Sequence, residues 1–211
     1  MCIRDSCWLF AGLNVMRPAV MKKYDLAEFE FSENNLFFWD KLEKANTFLE
    51  AVIETRARDI DDRELQTLLA DPCPDGGWWN YVVALIDKYG AAPKSAGRET
   101  QHSGGTARMN SILNRMLRHD AARLRREAEG GASEESLRET KVEMLKDVYR
   151  VLALHLGVPP ERFTWRVRNT KDEIIEKEFT PRSFYKEAVG VDLGDYVTVM
   201  DNPAWGYDVF Y

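Results

Sequence analysis

The sequence predicts an α+β fold in which helices come first and a short β-hairpin follows. Up to Leu156, apolar residues recur every three to four positions, as they do on the buried face of a helix. Beyond the breaker Gly157-Val-Pro-Pro160, apolar and polar residues alternate, which is typical of a half-buried strand. The chain has 211 residues, 45% of them hydrophobic, so it is long enough for one large domain or two small ones with a substantial core.

The helices are predicted from their apolar spacing and from the residues at their ends. Phe37, Phe38, Trp39 and Phe48 follow the helical spacing and are therefore predicted to be core side chains and not a ligand site. The stretch Gly90–Gly105 is rich in Gly, Pro, Ser and Thr, which predicts a loop. In chain order, the predicted helices are Trp8–Lys23, Glu33–Arg58, Asp61–Ala70, Trp78–Tyr89, Thr106–Glu129 and Ser133–Leu156.

The last quarter of the chain carries the strands. Phe163–Arg168 and Ile174–Phe179 are predicted to pair as a hairpin, because polar residues suited to a turn lie between them. Thr180-Pro181 is a favourable start for a helix over Arg182–Val189, since proline suits the first helical position. Tyr196–Met200 is predicted as a further strand.

Composition excludes several classes of protein. The net charge of −6 argues against a dedicated nucleic-acid binder. The longest uncharged runs have 11 residues, too short to span a bilayer, so no membrane association is expected. Three cysteines without regular spacing exclude a disulfide scaffold and a cysteine-only zinc site, and we expect no cofactor. Asp5 and Arg17 interrupt the pattern of a signal peptide, so we expect a cytoplasmic chain.

Cys7 is the first candidate for chemistry. It stands just ahead of an apolar helix, where unpaired backbone N–H groups and the positive end of the helix dipole favour a thiolate. A base, usually histidine, is still needed to move the proton. Taken without its neighbours, a single cysteine is equally explained as a small buried apolar residue.

The residues around Cys7 resemble a known family. The string Cys7-Trp-Leu-Phe-Ala-Gly-Leu-Asn-Val-Met-Arg17 is similar to the nucleophile segment of papain-like cysteine peptidases, in the bleomycin hydrolase branch whose bacterial members are called aminopeptidase C. Further similar segments are Met21–Tyr24, Leu36–Glu43, Phe48–Glu50, Asp75–Gly77, Lys88–Gly90, Pro93–Ser95, Glu99–Thr100, Met109–Asn110, Phe163–Trp165, Thr180–Pro181 and Phe184–Tyr185. The resemblance thus extends from Cys7 to Tyr211.

This resemblance implies a papain-like fold, with Cys7 as the nucleophile and Gly76-Gly77 as the glycine pair that lines the substrate cleft. Glycines suit that place because a peptide backbone can come close to them, although a turn before a helix explains the pair equally well. The resemblance also implies peptide substrates and a cytoplasmic homohexamer. Residues 7–211 are then part of the peptidase domain, mostly its helical half (7–157), with a hairpin and the first elements of the other half (162–211).

The chain departs from the family at two places. Met1 stands where the family has the oxyanion-hole glutamine, and Asp5 where it has a glycine, so residues 1–6 are predicted to be a leader foreign to the family. The catalytic histidine and asparagine are the second difference. His155 and Asn169 follow Cys7 at roughly the spacing at which papain-type enzymes have these residues, but neither is surrounded by the family's motif.

We therefore expect an N-terminal fragment of a cysteine aminopeptidase that lacks the catalytic His and Asn and is inactive as an isolated chain. The aromatic run Trp205–Tyr211 at the very end also suggests truncation. One alternative is a catalytically dead family member that acts as an interaction or assembly module. Another, resting on an arginine-rich helix, is a nucleic-acid-binding protein. Its basic residues are Arg115, Arg118, His119, Arg123, Arg125 and Arg126, which a solvated helix face also explains.

Overall fold

The computed structural model describes residues 7–97 and 99–199, and it contains helices followed by one antiparallel hairpin. The predicted α+β class is confirmed. The elements, in chain order, are α1 (Cys7–Tyr24), α2 (Glu33–Glu54), α3 (Arg63–Ala70), α4 (Trp79–Tyr89), α5 (Ala107–Glu129), α6 (Glu134–Leu156), β1 (Phe163–Arg168), β2 (Ile174–Phe179) and the single turn α7 (Pro181–Ser183).

The helix ends follow local capping chemistry. Ser32, Asp62 and Ser133 each accept a backbone N–H at the start of a helix, which satisfies donors that the helix cannot pair internally. The prediction of a helix to Arg58 is wrong over its last four residues. There α2 ends at Glu54, because the Thr55 hydroxyl also bonds to the Ala51 carbonyl and the next backbone bond, from Arg56 to Ile53, spans three residues instead of four.

Helix α2 packs against four other helices. On one side α2 packs against α5 and α6, and on the other it packs against α1 and α4. The apolar side chains of α2 are buried on both sides, and Phe37, Phe38 and Phe48 all belong to the core as predicted. Every element that carries the candidate site is therefore anchored directly or indirectly on this helix.

The hairpin closes the other end of α1. Its strands pair from Phe163 with Phe179 to Arg168 with Ile174, as the alternating pattern predicted. The buried ring of Trp165 lies edge-on to Tyr24 at 4.9 Å and to Phe184 at 5.1 Å between ring centroids. Edge-to-face packing of this kind favours the aromatic pairs beyond their burial alone, so it fixes the hairpin against the C-terminal end of α1.

The segment after the hairpin differs from prediction in two ways. Thr180 and Ser183 form a capping box around α7, but the helix then widens into a π-helical turn over Phe184–Val189. The predicted strand Tyr196–Met200 is wrong for residues 196–199, which have no regular structure; Met200 lies outside the described residues. A strand needs a partner for its backbone groups, and in the described part of the chain residues 196–199 pair with neither β1 nor β2.

Candidate active site

Cys7 is the first residue of α1, and it is exposed. The sequence places it there because an apolar helix begins at Trp8 and buries Leu9, Leu13, Met16 and Val20 on the opposite face. The first N–H groups of a helix have no intrahelical partners and carry the positive end of its dipole. Cys7 is thus presented to solvent at the N-terminal end of α1.

Trp8 connects the start of α1 to the loop before α4. Its indole Nε1 donates to the main-chain oxygen of Asp75 at 2.9 Å, and its ring lies edge-on to Tyr81 at 6.3 Å between centroids. Trp8, the residue after Cys7, is therefore tied to a segment 67 positions further along the chain. This contact brings the predicted glycine pair to the side of Cys7.

The two glycines of the pair meet different surroundings. A Cβ atom added at Gly77 would lie 2.5–2.7 Å from atoms of the Trp8 ring, so no larger residue fits there without a shift. A Cβ added at Gly76 would meet nothing within 4 Å. Gly77 is therefore required by packing against Trp8, whereas a side chain at Gly76 would meet open space.

Two lysines of α2 hold the loop that carries these glycines. Lys41 has no exposed side-chain surface; its Nζ donates to the carbonyls of Cys73 (3.0 Å) and Pro74 (3.1 Å) and forms an ion pair with Asp75. Lys44 donates at 2.7 Å both to the Gly76 carbonyl and to Asp40. Buried cations are tolerated only when they are paired in this way.

Burial in this region shifts two pKa values. Burial raises the pKa of the Asp40 carboxyl to about 6, although the Lys44 ammonium opposes the shift. Burial also raises the pKa of the Cys73 thiol to about 11. Cys73 is therefore held as a neutral thiol at physiological pH, which makes it an unreactive neighbour of the exposed Cys7.

A groove of about 890 Å³ lies between α2, α4 and the loop before α4. Its walls include the glycine pair and apolar side chains such as Phe48, Leu68 and Tyr81, and the exposed ring of Trp78 stands at its rim. Clefts of this size and lining are the usual binding places for small ligands and short peptides.

The sequence relatives of this chain fit the geometry. The model of the Peptidase C1-like family matches residues 4–210. The chain belongs to this family. Aminopeptidase C of Lactobacillus helveticus is 41% identical over 198 residues, which are 93% of this chain and 44% of that protein. Bleomycin hydrolase of Rattus norvegicus is 43% identical over 203 residues, again 93% of this chain and 44% of that protein.

A solved structure extends the match to three dimensions. The crystal structure of PepW from Lactobacillus rhamnosis superposes with a TM-score of 0.88 and 41% sequence identity, covering 90% of this chain and 43% of that one. The predicted resemblance to the aminopeptidase C and bleomycin hydrolase branch is confirmed, and these residues adopt the fold of that peptidase family. The chain spans less than half the length of the curated relatives it matches.

The structure places the histidines of this peptidase-family chain on elements other than α1. His155 lies at the end of α6, where its Nδ1 is 2.8 Å from the Val151 carbonyl and its ring packs on His102 at 4.7 Å between centroids. His119 lies on α5 beside Asp120. Asn169 belongs to the hairpin turn, where its side chain accepts from the N–H groups of Lys171 and Glu173.

The arginine-rich helix uses part of its charge inside the fold. Arg118 donates at 2.7 Å to each of the carbonyls of Leu69 and Ala70, at the C-terminal end of α3. Arg125 donates to the carbonyls of Thr55 and Arg58, just beyond the end of α2. Two of the arginines that suggested nucleic-acid binding are therefore used to cap helix ends.

Sequence reasoning proposed Cys7, Gly76 and Gly77 as site residues but missed the lysines that hold the loop. A signal was present, since Lys41 falls between Phe37 and Ala45 at helical spacing and so lies on the buried stripe of α2. Met1 and Asp5, where the chain departs from the family, lie outside the described residues, and the boundary after residue 6 stays a prediction. Among the described residues, no helix combines the length and the apolar character needed to cross a membrane.

Proposed function

We propose that this chain is the nucleophile-bearing N-terminal part of a cysteine aminopeptidase. The observation that carries the proposal is the placement of Cys7, exposed at the first residue of α1, next to Trp8, whose ring packs on Gly77. This arrangement offers a nucleophile and a backbone-accessible edge for a peptide on neighbouring segments. Relatives named aminopeptidase C and bleomycin hydrolase give the substrate class, which is peptides with a free N-terminus.

In the proposed reaction, the Cys7 thiolate attacks the carbonyl carbon of the first peptide bond. The C–N bond breaks, the shortened peptide leaves with a proton from the catalytic base, and the first residue stays bound as a thioester. Water then attacks the thioester, gives its proton to the same base and releases the amino acid. The base is a histidine, oriented by an asparagine, in a part of the fold that these 211 residues do not contain.

Two observations support the placement of the base outside this chain. The three histidines engage α5, α6 and the loop before α5, and none of the contacts described above involves α1. In addition, Cys7, Phe10 and Val15 lie on one exposed stripe of α1, and Phe10 keeps 45% of its surface in solvent. A second half of the enzyme packed on this stripe would cover apolar surface and bring its base to the sulfur.

Activity measurements on two proteins test the proposal. The 211-residue chain alone is expected to give no turnover of an aminoacyl-coumarin amide. A fusion of this chain to the remaining part of Lactobacillus helveticus aminopeptidase C is expected to give turnover that Cys7→Ala abolishes. Cys73→Ala is the matched control, because that buried thiol has no part in the reaction. Turnover by the chain alone, abolished by Cys7→Ala, would contradict the assignment of the base to another segment.

The departure at Met1 makes the same fusion more informative. Methionine cannot donate a hydrogen bond to an oxyanion, and loss of one such donor typically costs about 100- to 1000-fold in turnover. We therefore expect Met1→Gln to raise the turnover of the fusion by a large factor. A fusion that remains inactive with glutamine in place would favour the second candidate, a family member without catalysis that serves as an interaction module. A cytoplasmic homohexamer is the assembly we propose for the active form.

A further inference from the structure

Each main-chain carbonyl of residues 73–76 is bound by a side chain from another element. Lys41 Nζ donates to the first two at 3.0 and 3.1 Å, Trp8 Nε1 donates to the third at 2.9 Å, and Lys44 Nζ donates to the fourth at 2.7 Å. The acceptors of four consecutive residues are thus all used inside the protein. This fixes the path of the chain up to Gly77.

The two lysines are arranged as a pair. They lie three residues apart on α2, so both ammonium groups emerge from the same face of the helix. Each is neutralised by a carboxylate, Lys41 by Asp75 and Lys44 by Asp40. Burying the Lys41 ammonium and most of the Lys44 side chain is costly, and apolar packing often stabilises a fold equally well, so their presence points to a demand for geometry more than for stability.

Lys44 also reaches the nucleophile helix. Its Nζ lies 5.2 Å from the centroid of the Trp8 ring, which is within the range of a cation–π contact. The same ammonium therefore contacts the loop through Gly76 and the residue next to Cys7. A change at Lys44 should move both sides of the cleft together.

We infer that Lys41 and Lys44 are positioning residues: by holding the carbonyls of residues 73–76 they set the glycine edge, Gly76-Gly77, at the correct place for a peptide backbone beside Cys7. The inference rests on the proposed function, because it assigns the edge to peptide recognition. The lysines themselves do not touch the reacting atoms. They act through the loop and through Trp8.

The first test is spectroscopic and needs no activity. The 211-residue chain is compared with Lys44→Met, which keeps the aliphatic stem but removes the ammonium, and with Lys44→Arg, which keeps the charge. Lys146→Met is the matched control, because Lys146 pairs with Glu143 on the exposed surface of α6. The six tryptophan indole N–H signals are resolved by ¹H–¹⁵N correlation, and the Trp8 signal is assigned with Trp8→Phe.

We expect solvent exchange of the Trp8 indole proton to become about tenfold faster in Lys44→Met, which corresponds to the loss of one charge-assisted hydrogen bond that holds its acceptor loop. The amide signals of Gly76 and Gly77 should move as well. Lys44→Arg and the control should keep the wild-type signals. A purely structural lysine would lower the melting temperature and leave these signals unchanged in the folded protein. Lys41→Met is the stronger variant where it folds.

The second test compares two electrophiles at Cys7. Iodoacetamide reports the thiol alone, whereas a peptidyl chloromethyl ketone also carries a backbone for the glycine edge. Trypsin separates the reporter cysteine, in residues 5–22, from Cys2, in residues 1–4, and buried Cys73 serves as an unlabelled reference. We expect Lys44→Met to slow the peptidyl reagent by about tenfold relative to iodoacetamide, and Lys44→Arg to restore the ratio.

The outcomes separate the two proposals. Unchanged indole and glycine signals in Lys44→Met would overturn the inference, and so would changed signals with an unchanged labelling ratio. If the wild-type chain shows no preference for the peptidyl reagent over iodoacetamide, the proposed peptide recognition is contradicted. The inference that Lys41 and Lys44 position the loop is then tested by the indole and glycine signals alone, which do not depend on a substrate.

Discussion

Two regions of the molecule bind main-chain carbonyls with cationic side chains, one in the interior and one at the surface. Beside Cys7, Lys41 and Lys44 hold the loop over residues 73–76 from inside the fold, and Lys41 is fully buried. On the far side of α2, Arg118 and Arg125 each donate to two main-chain carbonyls at a helix end, and both side chains are partly open to water.

Because the lysines are more buried than the arginines, the two pairs are expected to act differently. The lysines fix the position of the loop, whereas the arginines stabilise the helix ends slightly. A buried ammonium must keep its partners, because water cannot replace them, so it fixes the atoms around it closely. An exposed guanidinium on a helix end competes with water and contributes less. Removing a partner of the loop over residues 73–76 is therefore expected to lower the free energy of unfolding strongly. Removing a partner of the helix ends is expected to lower it only slightly.

The largest expected effect is at Lys41. Lys41→Met removes the ion-pair partner of the Asp75 carboxylate, which keeps one hydrogen bond from Asn110 Nδ2, and leaves two loop carbonyls without their donor. We expect the free energy of unfolding to fall by about 3–5 kcal/mol, measured by urea denaturation. Lys146→Met, at an exposed ion pair, should change it by less than about 0.5 kcal/mol. Equal effects of the two variants would contradict the comparison.

Removing both buried partners sharpens this result. In the double variant Lys41→Met with Asp75→Asn, no uncompensated carboxylate remains. The combined loss should therefore be smaller than the sum of the two single losses, by about 1–3 kcal/mol, in a double-mutant cycle. Strict additivity would mean that the ion pair contributes nothing beyond the separate side chains.

The glycine pair offers a matched test next to the same loop. In Gly77→Ala, the new methyl group would lie within 2.7 Å of the Trp8 ring, so we expect a loss of about 1–3 kcal/mol and a shift of the Trp8 indole signal. In Gly76→Ala, the methyl group meets nothing within 4 Å, and the stability should change by less than about 0.5 kcal/mol. A larger loss for Gly76→Ala would show that the loop has another conformation.

The surface region should respond less. Arg118→Ala removes two hydrogen bonds to the end of α3 and is expected to cost about 1 kcal/mol in the free energy of unfolding. Arg115→Ala, one turn earlier on α5 and exposed, is the control and should be nearly neutral. A cost for Arg118→Ala as large as that of Lys41→Met would remove the distinction between the two regions.

The same contrast explains which features could be predicted from the sequence. The helix start at Glu33, the helix start at Ser133 and the hairpin after Pro160 depend on neighbours within a few residues, so periodicity and capping patterns predicted them. The nucleophile and the glycine pair came from a resemblance carried by contiguous motifs. These features depend on residues that are close in the chain, so local sequence patterns can predict them.

The features that were missed depend on distant partners. The acceptors of Lys41 lie 32 and 33 residues away, and those of Arg118 lie 48 and 49 residues away, so a charge pattern alone could not tell a buried clamp from a solvated face. The strand over Tyr196–Met200 failed for a related reason. Its β-branched residues favour an extended chain, but residues 196–199 pair with neither strand of the hairpin.

Two carboxylates, one on each side of α2, give the comparison its smallest and most specific test. Asp75 has Lys41 as its partner, whereas Asp120 on α5 is 7% exposed and its Oδ2 has no hydrogen-bond partner in the described part of the chain. Burial raises the pKa of the Asp120 carboxyl, with His119 opposing the shift and Asp147 adding to it. The folded protein therefore holds this proton more tightly than the unfolded chain does.

The sign of the pH dependence follows from this raised pKa. The stability contributed by protonated Asp120 is fully present below the unfolded value of 3.8 and is lost as the pH rises through the folded pKa. Asp120→Asn keeps the neutral form at every pH, so it should stabilise the chain by up to about 1 kcal/mol at pH 7 and have little effect near pH 4. Urea unfolding at the two pH values measures this, with the exposed Asp61→Asn as control. If Asp120→Asn destabilised the chain at pH 7, the carboxylate would have a partner that compensates its charge, and the two sides of α2 would treat buried charge alike.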